Sequence, residues 1–294
     1  MKRKLLLLAA LLTVTFTATA QEKQFLAYGV GFYNLENLFD TMHDEGKNDN
    51  EFLPKGSYRW NNKKYKNKLG NMSRALADLG TDRLPQIGCA VIGVSEVENA
   101  HCLTDLCNQK PLKARNFQFV HIEGPDKRGV DCALLYNPAL FTVTDSHLYP
   151  YVYEKQEDRD KDRQTRGFLT VKGILGGDRV AFIVVHLPSR FAGSEYRESG
   201  ARQAKAVIDR LLQEDPSCKV MIMGDMNDDP INKSMTEGLR AKANIEEVGD
   251  GDMYNPWYNI LVKEGKGTLM YNGSWNLFDQ IILSPNLLNR DGEK

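Results

Sequence analysis

The sequence predicts an α+β protein built from two packed mixed β-sheets with helices on their outer faces. Apolar runs of strand length recur between residues 25 and 283, several of them in hairpin-like succession. Few helical segments stand between these runs, whereas a doubly wound parallel sheet requires one at nearly every crossover. No Pro/Gly/Ser-rich linker and no internal repeat divides the chain after residue 20, so we expect one domain over residues 21–294.

The first 20 residues have the three parts of a secretory signal peptide. Basic residues at positions 2–4 precede the apolar run Leu5 to Leu12, and Ala18-Thr19-Ala20 provides an A-x-A ending. The apolar run is too short for a membrane span, and we expect no span in the mature chain. We therefore expect an exported, periplasmic or extracellular monomer that starts near Gln21. Removing the three basic residues changes the formal net charge from −1 to −4, which indicates no particular partner.

The first part of the mature chain predicts two strands, two helices and one long loop. Phe25 to Tyr33 and Ile87 to Val94 are apolar enough for strands, and residues 41–62 are polar and poorly periodic. Helical spacing runs from Tyr65 to Leu79, with Asn61 or Asn62 as the cap and Gly80 as the stop. Asn99 can cap a short helix that ends before Pro111.

The second part continues with strands, one charged segment and one long helix. Glu154 to Arg166 is so densely charged that we expect a solvated loop. Gly176-Gly177-Asp178 predicts a hairpin turn, and Ser194 to Glu214 has helical spacing. Val220 to Met223 is an uninterrupted apolar run, typical of a strand buried on both faces. Further strands are predicted at 117–122, 130–136, 141–148, 167–175, 179–187, 267–270 and 277–283.

The cysteine pattern indicates buried thiols more than a disulfide framework or a metal site. The chain has five cysteines, an odd number, so an exported monomer keeps at least one free thiol. Cys89, Cys132 and Cys218 lie within apolar runs, as core thiols do. Cys102 and Cys107 are five residues apart in a predicted helix, which is not a metal-ligand spacing.

Polar side chains collect at the ends of the predicted strands, where sheets usually carry their chemistry. Asp225 and Asn227 are two residues apart, so an extended segment would place them on one side, roughly 6–7 Å apart. Alone, this pair is ordinary turn chemistry. The coincidence of six such positions favours a site instead: Asn34, Glu96, His186, Asp225, Asn227 and Asp279.

Five motifs in this order resemble the endonuclease/exonuclease/phosphatase superfamily, in particular its deoxyribonuclease branch. They are F-Y-N-L-E-N at 32–37, I-G-V-S-E-V-E-N at 92–99, V-V-H-L-P-S at 184–189, G-D-M-N-D at 224–228 and F-D-Q-I-I-L-S at 278–284. The resemblance extends over the mature chain to about Pro285. It implies a four-layer αββα sandwich of two mixed sheets flanked by helices, with the site where the strands of both sheets end.

The chemistry expected at such a site is metal-assisted hydrolysis of a phosphodiester. A hard cation neutralises the phosphate oxygens and the leaving group, and Mg²⁺ prefers one or two carboxylates plus water. We expect Glu96, with Asn34 and Asp225, to hold Mg²⁺, with Mn²⁺ or Ca²⁺ as alternatives. Asp225 would orient or deprotonate the attacking water, and His186 would donate a hydrogen bond or proton to the phosphate.

Further contacts are expected at the site. Asn227 and Asn34 would hold phosphate oxygens or a metal-bound water, and Asp279 resembles the aspartate that orients a catalytic histidine in the family. Arg166 resembles the arginine that the family places near the phosphate, although a solvated arginine is equally consistent with its charged segment. Around this set, Glu98, Tyr136 and Arg190 are candidates for supporting or substrate contacts.

The chain departs from the family at its C-terminal end. The family pattern closes with S-D-H, whose histidine pairs with the aspartate matched by Asp279, but no histidine follows His186. The other four histidines, at 43, 101, 121 and 147, lie away from the motifs. We expect either a domain that is incomplete at its C-terminus or a variant without the second histidine.

Three functions are compatible with these residues. The first is an exported Mg²⁺-dependent nuclease that acts on nucleic acid. The second keeps the metal but hydrolyses a phospholipid, as sphingomyelinases do, or a small phosphate ester, and only the loops distinguish the two. The third is a binding protein that keeps the fold without a complete site.

Overall fold

The computed structural model describes residues 26–161, 163–271 and 273–288. The predicted signal peptide, residues 1–20, and the expected start of the mature chain at Gln21 lie outside this part, as do residues 289–294. The described chain forms two large sheets and a separate hairpin.

The first sheet has four strands and carries helices on its outer face. Strands β1 (Gly29–Leu38), β2 (Cys89–Val97), β3 (Gln118–His121) and β4 (Asp131–Tyr136) are ordered β1-β2-β4-β3. The β1–β2 pair is parallel and the other two pairs are antiparallel. Helices α1 (Asn62–Asp78), α2 (Ala100–Cys107) and α3 (Lys110–Ala114) follow β1 and β2 in the chain.

The second sheet has seven strands in the order β5-β6-β7-β8-β13-β10-β9, and its β7–β8 pair is parallel. Its strands are β5 (Phe141–Tyr149), β6 (Phe168–Leu175), β7 (Asp178–His186), β8 (Lys219–Asp225), β9 (Ala241–Lys242), β10 (Met253–Tyr254) and β13 (Asp279–Leu283). The hairpin consists of β11 (Leu269–Tyr271) and β12 (Ser274–Asn276). Helices α4 (Gln156–Asp160), α5 (Ser194–Glu214) and α6 (Trp257–Glu264) complete the set, with short helical turns at 50–52, 234–238, 245–247 and 285–287.

The two sheets pack face to face, and strand alternation supplies both faces of the core. In β7, Phe182 and Val184 lie between the sheets, whereas Ile183 and Val185 face α5. The same alternation holds in β8, which is buried on both faces as its apolar run predicts. On the other side, α1 and α2 cover the first sheet. The layers are therefore helix, sheet, sheet, helix, and the predicted αββα sandwich is confirmed.

Several local predictions are confirmed by the hydrogen bonds that end or join elements. The side chain of Asn61 caps α1 by accepting from the backbone N–H groups of residues 63 and 64, and Asn99 caps α2 in the same way. Gly176 and Gly177 have φ angles of 62° and 91° and form the two-residue turn between β6 and β7. All five cysteines are free thiols.

The prediction of a solvated loop at Glu154–Arg166 is only partly right, since most of its described charged side chains are exposed but two are buried. The segment contains α4, and Asp158 and Arg166 are buried within it. Asp158 forms an ion pair with the exposed Arg163 and accepts a hydrogen bond from Tyr196 on α5, so this buried carboxylate is paired. No helix in the described ranges is long and apolar enough to cross a membrane.

Candidate functional site

Three strand ends of the second sheet place polar side chains side by side. In the parallel β7–β8 pair His186 stands in register with Asp225, and in the antiparallel β8–β13 pair Asp225 faces Asp279. Gly224, directly before Asp225, allows this close register because a Cβ there would lie 2.0 Å from the carbonyl oxygen of Val185. The three neighbouring strands thus present an imidazole and two carboxylates at one edge.

The first sheet contributes Glu96 through a bulge in β2. The pairing of β2 with both β1 and β4 shifts around this residue, and Glu96 has a φ angle of 61°. The backbone N–H of Asn37 donates to Glu96 Oε2 at 2.9 Å, which fixes the carboxylate. Glu96 Oε1 then lies 3.7 Å from His186 Nε2, so the bulge directs this carboxylate across to the second sheet.

Asp225 is held by hydrogen bonds to both of its carboxylate oxygens. Asn34 Nδ2 donates to Oδ2 at 3.0 Å, and the backbone N–H of Asn227 donates to Oδ1 at 2.8 Å. Burial raises the pKa of Asp225 and the charge of Glu96 adds to this, while the two hydrogen bonds and Arg166 act in the opposite direction. Asp225 is therefore a fixed carboxylate with increased basicity.

His186 is buried and electrically neutral. Burial, reinforced by the positive charges of Arg166 and Arg128, lowers the pKa of His186 well below its ordinary value of 6.5. Its Nδ1 has no hydrogen-bond partner among the described residues, and its Nε2 lies 3.8 Å from Asp225 Oδ2. The ring can therefore offer an N–H at neutral pH, but it is not an imidazolium that holds a spare proton.

Glu96, His186 and Asp225 form a compact group whose two carboxylates fit a divalent cation. One ligand atom from each lies within 4.8 Å of the other two, and two of the three are carboxylates. Oxygen-rich sites with one or two carboxylates suit Mg²⁺. Asn34 uses its amide differently: Nδ2 donates to Asp225, and Oδ1 accepts from the backbone N–H of Glu36 at 2.7 Å. In this arrangement Asn34 positions Asp225, and its role as a metal or phosphate ligand stays a prediction.

Asn227 belongs to a loop that Arg190 contacts at several points. Asn227 has a φ angle of 50°, and its Nδ2 donates to the carbonyl oxygen of Leu187 at 3.0 Å. Arg190 Nε donates to the carbonyl oxygen of Asn227 at 3.1 Å, and its other nitrogens bind Asp229 and Asn276 at 2.9 Å each. Arg190 is thus a positioning residue for the loop after β8.

Arg166 is buried beside His186, so the structure favours the first of its two interpretations. Its guanidinium donates to Asp126 Oδ2 at 3.1 Å and to the carbonyl oxygen of Leu187 at 3.2 Å, while its Nε has no partner among the described residues. It lines a cleft of about 470 Å³ together with Glu96, Arg128, His186 and Asn227. This cleft combines two arginines with an oriented amide, which suits an anion.

Asp279 lies on the opposite side of Asp225, in a second cavity of about 570 Å³. Burial, with the negative charges of Asp225, Glu96 and Glu36, raises the pKa of Asp279 to about 7. No hydrogen bond or ion pair joins a histidine to Asp279 in the described part of the chain. The rest of this cavity is largely apolar: Phe32, Trp257, Leu269 and Phe278 line it.

Two predicted supporting residues lie elsewhere. The prediction that Tyr136 contacts the site or substrate is wrong, because Tyr136 pairs with Val91 at the far end of β2 and its hydroxyl donates to Gln118. Glu98 is buried behind the site, where its Oε2 accepts from the backbone N–H of Asp40 at 2.7 Å. The sequence could not predict these positions, because the direction of a side chain near a strand end or a bulge depends on the local backbone geometry.

Sequence reasoning also missed Lys68 and gave Arg128 no role. Lys68 Nζ donates to the carbonyl oxygen of Glu36, and its charge interacts with those of Glu36 and Glu96 although burial lowers its pKa. Nothing distinguishes Lys68 from the neighbouring lysines on the polar face of α1. For Arg128, the sequence showed only that a glycine and then a strand follow it, which did not indicate a role for its side chain.

Comparisons with known proteins agree with this geometry. A family model described as the Endonuclease/Exonuclease/phosphatase family matches residues 29–294. No curated protein matches the chain closely enough to count as a relative.

Solved structures share the fold at low sequence identity. The Bacteroides thetaiotaomicron VPI-5482 mannosyl-6-phosphatase Bt3783 has a TM-score of 0.56 and 15% identity, over 88% of this chain and 86% of that chain. ANGEL2, a 2',3'-cyclic phosphatase, has a TM-score of 0.55 and 11% identity, over 73% of this chain and 72% of that chain. A D. rerio TDP2 humanized by 14 mutations has a TM-score of 0.50 and 16% identity, over 86% of this chain and 81% of that chain. At these identities the likeness shows the fold alone.

Proposed function

The chain belongs to the endonuclease/exonuclease/phosphatase family of phosphoester hydrolases, and on that premise we propose that it is an exported Mg²⁺-dependent phosphodiesterase whose substrate class is nucleic acid. The observation that carries the proposal is the convergence of Glu96, His186 and Asp225 between two cavities of different character. Export rests on the N-terminal pattern of the sequence, and a comparison of cell fractions with and without residues 1–20 tests it.

The carboxylates of the site bind the cation and activate the attacking water. When bound by Glu96 and Asp225, a divalent cation neutralises charge on the phosphate and the leaving oxygen. Asp225, oriented by Asn34 and Asn227 and made more basic by burial, accepts a proton from the attacking water. The water oxygen forms a bond to phosphorus as the bond to the leaving oxygen breaks, and the leaving oxygen takes a proton from solvent.

The remaining polar groups stabilise charge and do not move protons. His186 is neutral, so its N–H can donate a hydrogen bond to a non-bridging phosphate oxygen. Arg166 is held rigidly by Asp126 and Leu187, and it adds positive charge on the same side of the cleft. Of the two roles predicted for His186, we therefore propose the hydrogen-bonding one.

The two cavities favour a diester over a monoester. A diester has groups on both sides of phosphorus. Asp225 lines the apolar cavity, and His186, 3.8 Å from it, lines the arginine-lined cleft together with Glu96. Beyond the apolar cavity, Tyr271 and Trp275 on the β11–β12 hairpin are 46% and 53% exposed. Leu269 of the same hairpin lines the apolar cavity, and exposed aromatic rings on such a hairpin suit base stacking, which contributes about 1–3 kcal/mol per base.

A second candidate is hydrolysis of a small phosphate ester. The arginine-lined cleft alone has room for one phosphate group, and the structure of similar fold with the highest TM-score quoted above is named a mannosyl-6-phosphatase. A phospholipid substrate has less support, since it depends only on exposed apolar side chains such as Met270 on the hairpin.

A parallel substrate panel tests the proposal. Purified protein with Mg²⁺ is incubated with plasmid DNA, single-stranded DNA, RNA, sphingomyelin vesicles and hexose phosphates. We expect cleavage of nucleic acid, reduced by about 10²–10⁴-fold in Asp225→Asn because its base is lost. Asp82→Asn, which changes an exposed carboxylate elsewhere, serves as the control and keeps full activity. Turnover of hexose phosphates alone would select the second candidate, and no turnover by folded protein would favour a binding protein.

A further inference from the structure

A second group of potential metal ligands lies behind the proposed active site and shares no residue with it. Asp40 directly follows Phe39 after β1, Glu98 follows β2, and Cys102 belongs to the first turn of α2. One ligand atom from each lies within 4.8 Å of the other two. The three residues are only 4%, 3% and 0% exposed, so this is a closed, internal position.

The carboxylate of Glu98 is incompletely satisfied in this position. Its Oε2 accepts from the backbone N–H of Asp40 at 2.7 Å and lies 3.6 Å from Cys102 Sγ. Its Oε1 is buried and has no hydrogen-bond partner among the described residues. A buried carboxylate oxygen without a partner is costly, so an unpaired Oε1 next to two other ligand atoms indicates a missing positive group.

The described surroundings of this group add negative charge. Asp44 and Asp49 add further negative charge close to Glu98 and Asp40. Within the described ranges, no lysine or arginine forms an ion pair with Asp40 or Glu98, while Asp49 has His43 as its partner. A group of buried acids with this charge requires either protons or a bound cation.

We infer that Asp40, Glu98 and Cys102 bind a divalent transition-metal cation, with Zn²⁺ as the representative ion. Two carboxylate oxygens and one sulfur form a mixed donor set that Zn²⁺ accepts at short distances, whereas Mg²⁺ and Ca²⁺ prefer oxygen alone. The enclosed position resembles structural metal sites, which are closed, more than catalytic ones, which keep an open coordination position.

The site would brace the part of the fold that aims Glu96. Asp40 lies three residues after Asn37, whose N–H holds Glu96 Oε2, and Glu98 lies two residues after Glu96 itself. A cation between these segments and α2 ties the end of β1, the end of β2 and the following helix together. We therefore expect metal binding to increase thermal stability more than it changes catalysis.

Cobalt and zinc titrations of the full chain test the inference. Co²⁺ bound through a thiolate gives a sulfur-to-metal charge-transfer absorption, which the carboxylates of the proposed active site cannot produce. We expect this absorption in the wild-type protein and in Cys107→Ser, a matched control on the same helix, and its loss in Cys102→Ser. Because burial raises the pKa of the Cys102 thiol, binding also releases a proton.

Two further variants keep the test decisive if Cys102→Ser folds poorly. Glu98→Gln is nearly isosteric, and we expect at least a tenfold weaker Zn²⁺ affinity at this site and a smaller zinc-dependent rise in Tm than in wild type. Glu96→Gln keeps the zinc-dependent rise, because Glu96 belongs to the other group of ligands. If the wild-type protein shows no charge-transfer absorption, or if Glu98→Gln binds Zn²⁺ as tightly as wild type, the buried acids carry protons instead and the inference is wrong. These results do not depend on whether the protein cleaves any substrate.

Discussion

Replacing Asp279 by asparagine is expected to stabilise the protein at high pH and not at low pH. The folded state raises the pKa of Asp279 from 3.8 to about 7, chiefly through burial. The folded protein therefore binds the proton more tightly than the unfolded chain does, and the free energy of unfolding falls as pH rises from about 4 to about 7. The asparagine amide has no such proton to lose, so the Asp279→Asn variant does not show this decrease.

The magnitude follows from the size of the shift. About three pKa units at 1.36 kcal/mol each correspond to roughly 4 kcal/mol, which is an upper limit. Because the Asp279 side chain is only half-buried, solvent screening reduces the expected difference in the free energy of unfolding to about 2 kcal/mol. Asp279→Asn should match wild type at pH 4 and exceed it by this amount at pH 8.

Urea unfolding in the presence of EDTA measures the difference without a bound cation. The quantity of interest is the free energy of unfolding of Asp279→Asn minus that of wild type at each pH, because many other groups titrate in both proteins. Asp82→Asn supplies the baseline for loss of an exposed carboxylate. Parallel curves for Asp279→Asn and wild type from pH 4 to pH 8 would refute the assignment of a raised pKa to Asp279.

Two other substitutions test how the site is held. Arg166→Gln leaves the buried Asp126 without its closest cation, so we expect the free energy of unfolding in urea to fall by about 3 kcal/mol. The double variant Arg166→Gln/Asp126→Asn should recover part of this loss. If the effects of the two substitutions simply add, the pairing is contradicted. Gly224→Ala places a Cβ 2.0 Å from the carbonyl oxygen of Val185. We expect it to separate β7 from β8 and so to lower Tm and activity together. A variant with the Tm and activity of wild type would show that the register has room for a side chain.

The layered fold could be predicted because its signals are local. Strands buried on both faces are continuous apolar runs, as at Val220 to Met223, and the two asparagine caps precede helical spacing directly. Helix α6 and the two-residue strands β9 and β10 were not predicted, since they are short. The two strands form only because β10 pairs with β13 and β9 pairs with β10. The first strand also continues past its predicted end, which places Asn34 inside β1.

The proposed site was only partly accessible from the sequence. Strand ends identify Glu96, His186 and Asp225 because a strand end is visible locally, and the order of the motifs adds their mutual proximity. Arg166 looked equally consistent with solvent because its partner Asp126 is 40 residues away in the chain. The group of Asp40, Glu98 and Cys102 was not predicted for a similar reason, since residues from three separate parts of the sequence meet there.

The most direct test of the metal-dependent site is a Mg²⁺ titration of phosphodiesterase activity in wild type and Glu96→Gln. Glu96 Oε1 and Asp225 Oδ2 each lie within 4 Å of His186 Nε2, so removing one carboxylate charge should weaken the cation site. We expect Glu96→Gln to require at least tenfold more Mg²⁺ for half-maximal activity, with kcat reduced by about 10²-fold, and EDTA to abolish turnover in both proteins. Superimposable Mg²⁺ curves, or full activity in EDTA, would contradict the assignment of catalysis to a cation held by Glu96 and Asp225.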